Sequence, residues 1–223
     1  MAKLRLVFNV EEETLIDNNF FIQTDMMNHI AMVLSNIRNS DNDVILITAG
    51  AIVSGIERQK LKKYPSSLSS KQALAAIGQV ELIKNYQSIF DEYTQMIAQV
   101  LLARDIFNNP KQQFNAKNTF KKLFSLGVIP VINENDTIST ADIELESNYK
   151  LSETVANIIS AHALIQINKD FSFNVLLKGN DFSYFCKDKD ALFKFIQDMS
   201  SKKNSARKTT YPPVFPMTSK NYE

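Results

Sequence analysis

"GVIPVINENDTIST" (residues 127–140) joins two unlike halves. Val128 to Ile132 is an apolar run, and Asn133, Glu134, Asn135 and Asp136 follow it directly. A strand that is apolar at consecutive positions is buried on both faces, as strands of a parallel sheet covered by helices are. Polar side chains crowded onto the end of such a strand stand where open α/β sheets meet their ligands, beyond the carboxyl ends of the strands. A solvent loop is the plainer reading of the same four residues.

The rest of the chain repeats the pattern. "LRLVFNV" (4–10), "DVILIT" (43–48), "MIAQVLL" (96–102) and "ALIQIN" (163–168) are further strand candidates, alternating with helical patterns at 25–37, 50–61, 71–93, 116–126 and 151–162. In the longest of these, Ala73, Ala76, Ile77, Val80, Ile83 and Phe90 fall on one apolar face, and Ser69 and Gln72 have capping-box spacing. Strands alternating with helices predict an α/β fold, a three-layer αβα sandwich around a mostly parallel sheet. A second polar turn follows "VILIT": Ala49 and Gly50 lead into a helix whose first amides are free to hold an anion. A tight strand-to-helix turn explains the one glycine equally well.

Composition narrows the function classes. A length of 223 residues accommodates one full core, and 44% hydrophobic with 22% charged residues is ordinary for a soluble domain. With 25 basic and 24 acidic residues the net charge is +1, so no global field draws nucleic acid or an anionic membrane. No apolar run is long enough to span a bilayer, and the start lacks the apolar stretch of a leader, so a cytoplasmic protein is expected. Cys186 stands alone, as a free thiol in a reducing compartment would. His29 and His162 have no ligand partners at metal spacing, and both read as incidental. Met26, Met27 and Met32 read as core or interface filler. Five glycines, none within four positions of another, exclude a Walker or dinucleotide loop. Residues 201–223 mix Ser, Lys, Pro and Thr without periodicity and read as a flexible tail.

At five collinear stretches the sequence resembles the glutamate 5-kinases of the amino-acid kinase family: "VILITAGAIVSG" (44–55), "KQALAAIGQ" (71–79), "AQVLLARD" (98–105), "FNAKNTF" (114–120) and "GVIPVINENDTIST". The resemblance implies ATP- and Mg2+-dependent phosphorylation of the glutamate γ-carboxylate, the first step of proline synthesis. It also implies substrate-binding roles for Asp136 and Asn148, with Ala49, Gly50, Asn133 and Asn135 around them. A carboxylate and an amide suit the ammonium and carboxylate of an amino acid. Ala49 stands where the family has a serine, so one substrate contact is lost.

The phosphate side departs further from the family. Phe8 stands for the expected lysine and Val10 for the glycine, with Glu11, Glu12 and Glu13 following, although a solvated helix start explains the three carboxylates without any catalytic role. The family's Gly-Asp-Asn-Asp run reads Glu146-Ser147-Asn148-Tyr149, and its later glycine-rich loop is missing. Phosphoryl transfer depends on positioning and charge neutralisation, which an acidic turn opposes.

These residues lead to a glutamate 5-kinase-like protein that is catalytically inactive, with no catalytic residues and no cofactor of its own. Residues 1–160 would be the amino-acid-binding half and 161–200 a degenerate remnant of a nucleotide half that is truncated or remodelled. The aromatic runs in that remnant would pack as a carboxy-terminal layer. Glutamate or proline is the expected ligand, a second copy or a related kinase the expected partner, and neither membrane nor nucleic acid is expected to bind. Two alternatives stand beside this: an active kinase in which Lys150, Lys178 or Lys3 replaces the missing cation, and a pure protein-interaction module.

Overall fold

A computed structural model describes residues 3–17, 19, 21–138, 148–180 and 183–205. The chain runs β1 (Arg5–Asn9), α1 (Glu12–Leu15), α2 (Thr24–Asn39), β2 (Asp43–Ile47), α3 (Ala51–Gln59), α4 (Leu68–Glu92), β3 (Ile97–Leu102) and a 3-10 turn at Arg104–Phe107. It continues through α5 (Pro110–Ser125), β4 (Ile129–Glu134), α6 (Asn148–Ile158), β5 (Ala163–Ile167), β6 (Phe173–Leu177), β7 (Ser183–Cys186) and α7 (Lys189–Ser205). The seven strands form one sheet in the order β3-β4-β2-β1-β5-β6-β7. The first five are parallel, while β6 and β7 turn back as antiparallel neighbours.

Two apolar layers sandwich this sheet. Leu6 and Phe8 of β1 and Val44 and Leu46 of β2 pack with α2, α3, α4 and α7 on one face. Val7, Ile45 and Ile132 pack with Phe120 of α5 and Leu151, Val155 and Ala156 of α6 on the other. The expected αβα sandwich is therefore the observed one. The five expected strands are present, and the 161–200 segment supplies the β6–β7 hairpin and α7, whose period-2 pattern was too short to read. The boundary expected at residue 200 falls inside α7, and residues 206–223 lie outside the described ones.

Several expectations are corrected. In α4 the buried stripe is Lys71, Leu74, Ala75, Gly78, Leu82, Tyr86, Ile89 and Phe90, while Ile77 and Val80 are 37% and 62% exposed. Counting only large apolar residues hid that stripe, because it includes a lysine, a glycine and a tyrosine. The helix is capped by Ser67, whose hydroxyl accepts from the Ser70 amide, two residues before the expected cap. The edge strand β3 is not covered on both faces: Gln99 and Leu101 are exposed. His162 is structural, its Nδ1 accepting from the Arg5 amide at 2.8 Å and so tying the start of β5 to the start of β1. Met26 and Met27 are core residues of α2.

Contact between α3 and α4 is unusually close because glycines meet backbone. A Cβ on Gly78 would stand 1.8 Å from the Ala51 carbonyl oxygen, and one on Gly55 would stand 2.1 Å from that of Leu74. Neither backbone oxygen can swing aside as a side-chain end does, so any side chain there must push the helices apart. Gly78→Ala is expected to lower the stability by about 2–3 kcal/mol, the upper part of the range for overpacking. Urea unfolding checks this; a midpoint unchanged from wild type would contradict the close crossing.

Candidate functional site

The carboxyl ends of β1, β2, β4 and β5 open onto one mouth, and most of its walls are polar. From β2, Thr48 is buried and its hydroxyl lies 2.9 Å from the Tyr86 hydroxyl of α4. The chain then passes Ala49 to Gly50, whose left-handed φ of 97° makes the sharp entry into α3. That conformation favours glycine, and a Cβ there would also meet Ile22 at 3.2 Å. The second reading of this turn, a tight strand-to-helix connection, has this direct geometric support.

From β4, Asn133 is buried and committed: its amide donates to Gln79 Oε1 of α4 at 3.0 Å, and its Oδ1 accepts from the Glu134 amide. Asn135 accepts from the Thr137 hydroxyl at 2.6 Å, which closes the loop on itself. Glu134 receives the Arg104 Nε at 2.6 Å, with both side chains largely shielded from solvent. Asp136 stands in the middle. Burial, then Glu134 and Glu12, push its carboxyl up to about 7 against the pull of Arg104. Tyr64, from the α3–α4 connection, faces the same carboxylates, and its hydroxyl is pushed up to about 12 by burial, Glu12 and Asp136. Lys71 reaches over the Tyr64 ring, 5.7 Å from its centroid. An amino-acid ammonium placed here would restore charge balance to Asp136 and Glu12.

The β1 side is built differently from expectation. Phe8 and Val10 are both fully buried in the core, so neither side chain stands at the mouth. Strand alternation turns Asn9 to the other side, where it too is fully buried, and Asn9 Nδ2 donates to Glu11 Oε1 at 2.8 Å and to Gln166 Oε1 of β5 at 2.6 Å. Glu11 and the two carboxylates after it do begin a helix, the one-turn α1. Yet Glu11 and Glu12 are half-buried rather than solvated, and burial raises both carboxyls.

Glu11 also crosses the mouth. Its Oε2 accepts from the Asn148 amide at 3.3 Å, and the Tyr149 amide adds to the hold. These are the first amides of α6, the place where a helix start would otherwise receive an anion. The Asn148 side-chain Nδ2 is buried with no partner among the described residues, a donor left available beside that carboxylate. Glu146 and Ser147 lie outside the described residues. Next to this contact a cleft of about 760 Å³ opens between β1 and β5, lined by Glu11, Glu12, Glu13, Tyr149, Gln166 and Lys169 among others, with no glycine in its lining.

The structure thus brings Ala49, Gly50, Asn135, Asp136 and Asn148 to one edge and ties Asn133 to α4. Sequence reasoning missed Tyr64, Arg104, Gln79 and Lys169 as parts of the mouth, and it set Glu12 on the phosphate side without its approach to Asp136. Arg104 lay inside a recognised stretch, but nothing in its neighbours marked it as the partner of Glu134. Of the three cations considered as replacements, Lys3 and Lys178 lie at the opposite edge, at the start of β1 and after the end of antiparallel β6. Lys150 sits over the Phe107 ring, 4.8 Å from its centroid.

The amino acid kinase family model matches residues 12–169. The chain is similar to the glutamate 5-kinase of Listeria monocytogenes serotype 4b, 39% identical over 168 residues that cover 74% of this chain and 61% of the relative. It is also similar to that of Caldanaerobacter subterraneus subsp. tengcongensis, 40% identical over 162 residues covering 73% and 44%. The glutamate 5-kinase of Streptococcus equi subsp. zooepidemicus is 34% identical over 168 residues, covering 74% and 62%. The chain therefore spans less than two thirds of the length of these curated relatives. Among the described residues no helix is long and apolar enough to cross a membrane.

The raised Asp136 carboxyl has a consequence for stability. Its folded-state value lies above the unperturbed 3.8, so its contribution is fully present below about pH 3.8 and is lost as pH rises through about 7. Asp136→Asn removes that loss. The variant is expected to melt roughly 2–4 °C above wild type at pH 8, the shift produced by each kcal/mol in a chain of this size. The two proteins should converge towards pH 4. Melting curves across that range check it, and a parallel pair of profiles would contradict the buried, acid-flanked placement.

Proposed function

The chain belongs to the amino acid kinase family, and from that premise we propose that it is a glutamate 5-kinase-like protein that binds an amino acid and transfers no phosphate. Its role is then structural or regulatory, exercised through a second copy or a related kinase. The observation that carries this reading is Glu11: its carboxylate takes the Asn148 and Tyr149 amides at the start of α6, so an anion arriving there meets a negative charge already in place.

The rest of the mouth supports the same division. Asp136 and Glu12 are partly desolvated carboxylates that favour an ammonium, and Asn148 Nδ2 is a donor suited to a substrate carboxylate. The cleft between β1 and β5 has the volume for a nucleotide, but three glutamates line it, and its wall offers no glycine for close backbone approach to phosphates. These residues do not fit a magnesium triphosphate, and no step is derived through one. Oligomer formation has support in the exposed apolar residues Ile77 and Val80 on α4 and Met96 and Leu101 beside and within β3.

Lys169 favours a second reading. It lines the cleft directly after β5, where an active glutamate 5-kinase could use it as a movable point charge.

Two measurements on the purified chain separate these readings. Glutamate or proline is expected to raise the melting temperature of wild type and to leave Asp136→Asn unaffected. Glutamate-dependent ADP release is expected to stay at background. Release that depends on Lys169, lost in Lys169→Ala, would establish the active reading instead. No thermal response to either amino acid would leave only the interaction module.

A further inference from the structure

A second cleft lies at the other edge of the sheet, among the amino ends of β1 and β2. It measures about 280 Å³ and is enclosed by β1, β2, α5 and the end of α6. Arg5, at the start of β1, and Glu11, at the mouth, are six residues apart along an extended chain, which at ~3.3 Å per residue separates the two sites by roughly 20 Å. Nothing in the mouth reaches it.

Its lining is markedly basic. Arg5 enters from the start of β1 and Lys3 from just before it, Lys117 and Lys121 from α5, and Asp43 is the one carboxylate among the lining residues. Asp43 is engaged, with its Oδ1 2.8 Å from the Lys3 ammonium. No carboxylate among the described residues stands within ion-pair distance of Arg5, Lys117 or Lys121. In a chain whose net charge is only +1, three cations with no ion-pair partner among the described residues around one concavity are a local excess of positive charge. Concave low-dielectric walls focus such a field and raise the local concentration of anions.

A helix end accounts for part of this, since cations near a helix carboxyl terminus are favourable, and Lys121 lies close to that of α5. It does not account for Arg5, which comes from a strand, or for their convergence. Phe124 and Ile159 complete the lining with an apolar wall. The Ser125 hydroxyl donates to the Lys122 carbonyl at 2.7 Å, so the charge of a ligand would fall to the cations.

We propose that this cleft binds a phosphate monoester: a dianionic head held by the Arg5 fork and the Lys117 and Lys121 ammonium groups, with a small organic group against Phe124 and Ile159. Guanidinium matches the geometry of two phosphate oxygens, and the lysines add point charge. The cleft volume suits a small ester. This inference stands apart from the reading of the mouth and survives if the protein proves to be an active kinase.

Isothermal titration of the full chain with inorganic phosphate and with phenyl phosphate, at ionic strength held constant with chloride, tests it. Both should bind saturably, phenyl phosphate more tightly. Lys117→Gln/Lys121→Gln should weaken both at least tenfold. Lys122→Gln, which removes one positive charge from the same helix outside the cleft, should not alter binding. None of the three substituted positions is buried, and an unchanged circular dichroism melt verifies folding. Absence of saturable binding overturns the proposal, as does equal weakening by Lys122→Gln. Tight binding of a single-stranded oligonucleotide without binding of phenyl phosphate also overturns it, in favour of a nucleic-acid surface.

Discussion

One carboxylate joins the two sides of the mouth. Glu11 leaves the end of the central strand β1, accepts from Asn9 on one oxygen and from the Asn148 amide at the start of α6 on the other. Burial alone would favour protonating it, and the donors around it oppose that. The contact is local in cost and broad in consequence. It satisfies amides that a helix start leaves open, and it fixes α6 against β1. It also places negative charge where the fold would otherwise attract an anion. Whatever binds at this edge must tolerate that charge, and the ammonium end of an amino acid does so better than a phosphate.

The opposite wall depends on glycine. Gly55 and Gly78 let the backbones of α3 and α4 touch, and this holds the start of α3 against β2 so that Ala49 and Gly50 reach the mouth in a left-handed turn. Thr48 to Tyr86 and Asn133 to Gln79 then pin the ends of β2 and β4 to α4 from inside. The site is therefore carried by rigid elements on three sides, and its chemistry is set by which side chains those elements present. The chain is also polarised along its strands. Carboxylates gather at the carboxyl ends and cations at the amino ends, although the net charge is close to zero.

Much of the fold was legible because consecutive apolar residues at β2, β4 and β5 have no other stable use than a covered strand. The mouth was legible in outline for the same reason, since the polar run that opens with Asn133 and Glu134, the last residues of β4, ends the apolar pattern of that strand. What failed did so for identifiable reasons. Of the apolar face assigned to α4, Ala73, Ala76, Ile77 and Val80 are exposed while Phe90 is buried, because the buried stripe runs through Lys71, Gly78 and Tyr86, residues that a hydrophobicity count passes over. Phe8 and Val10 stand at the motif positions of a lysine and a glycine and turn into the core, while Asn9, equally buried, reaches the cleft only through its partners Glu11 and Gln166. Tyr64, Arg104 and Glu12 meet Asp136 only through the tertiary fold, and no spacing in the chain encodes that meeting. The β6–β7 hairpin was missed because its strands are four and five residues long and the aromatic residues in them read equally well as helix.

The most direct measurement is an equilibrium titration of the purified chain with magnesium ATP, monitored by calorimetry in the presence of glutamate. A mouth closed to phosphate by Glu11 predicts no saturable binding up to millimolar nucleotide. Micromolar affinity, with stoichiometric heat, would contradict the account at its centre.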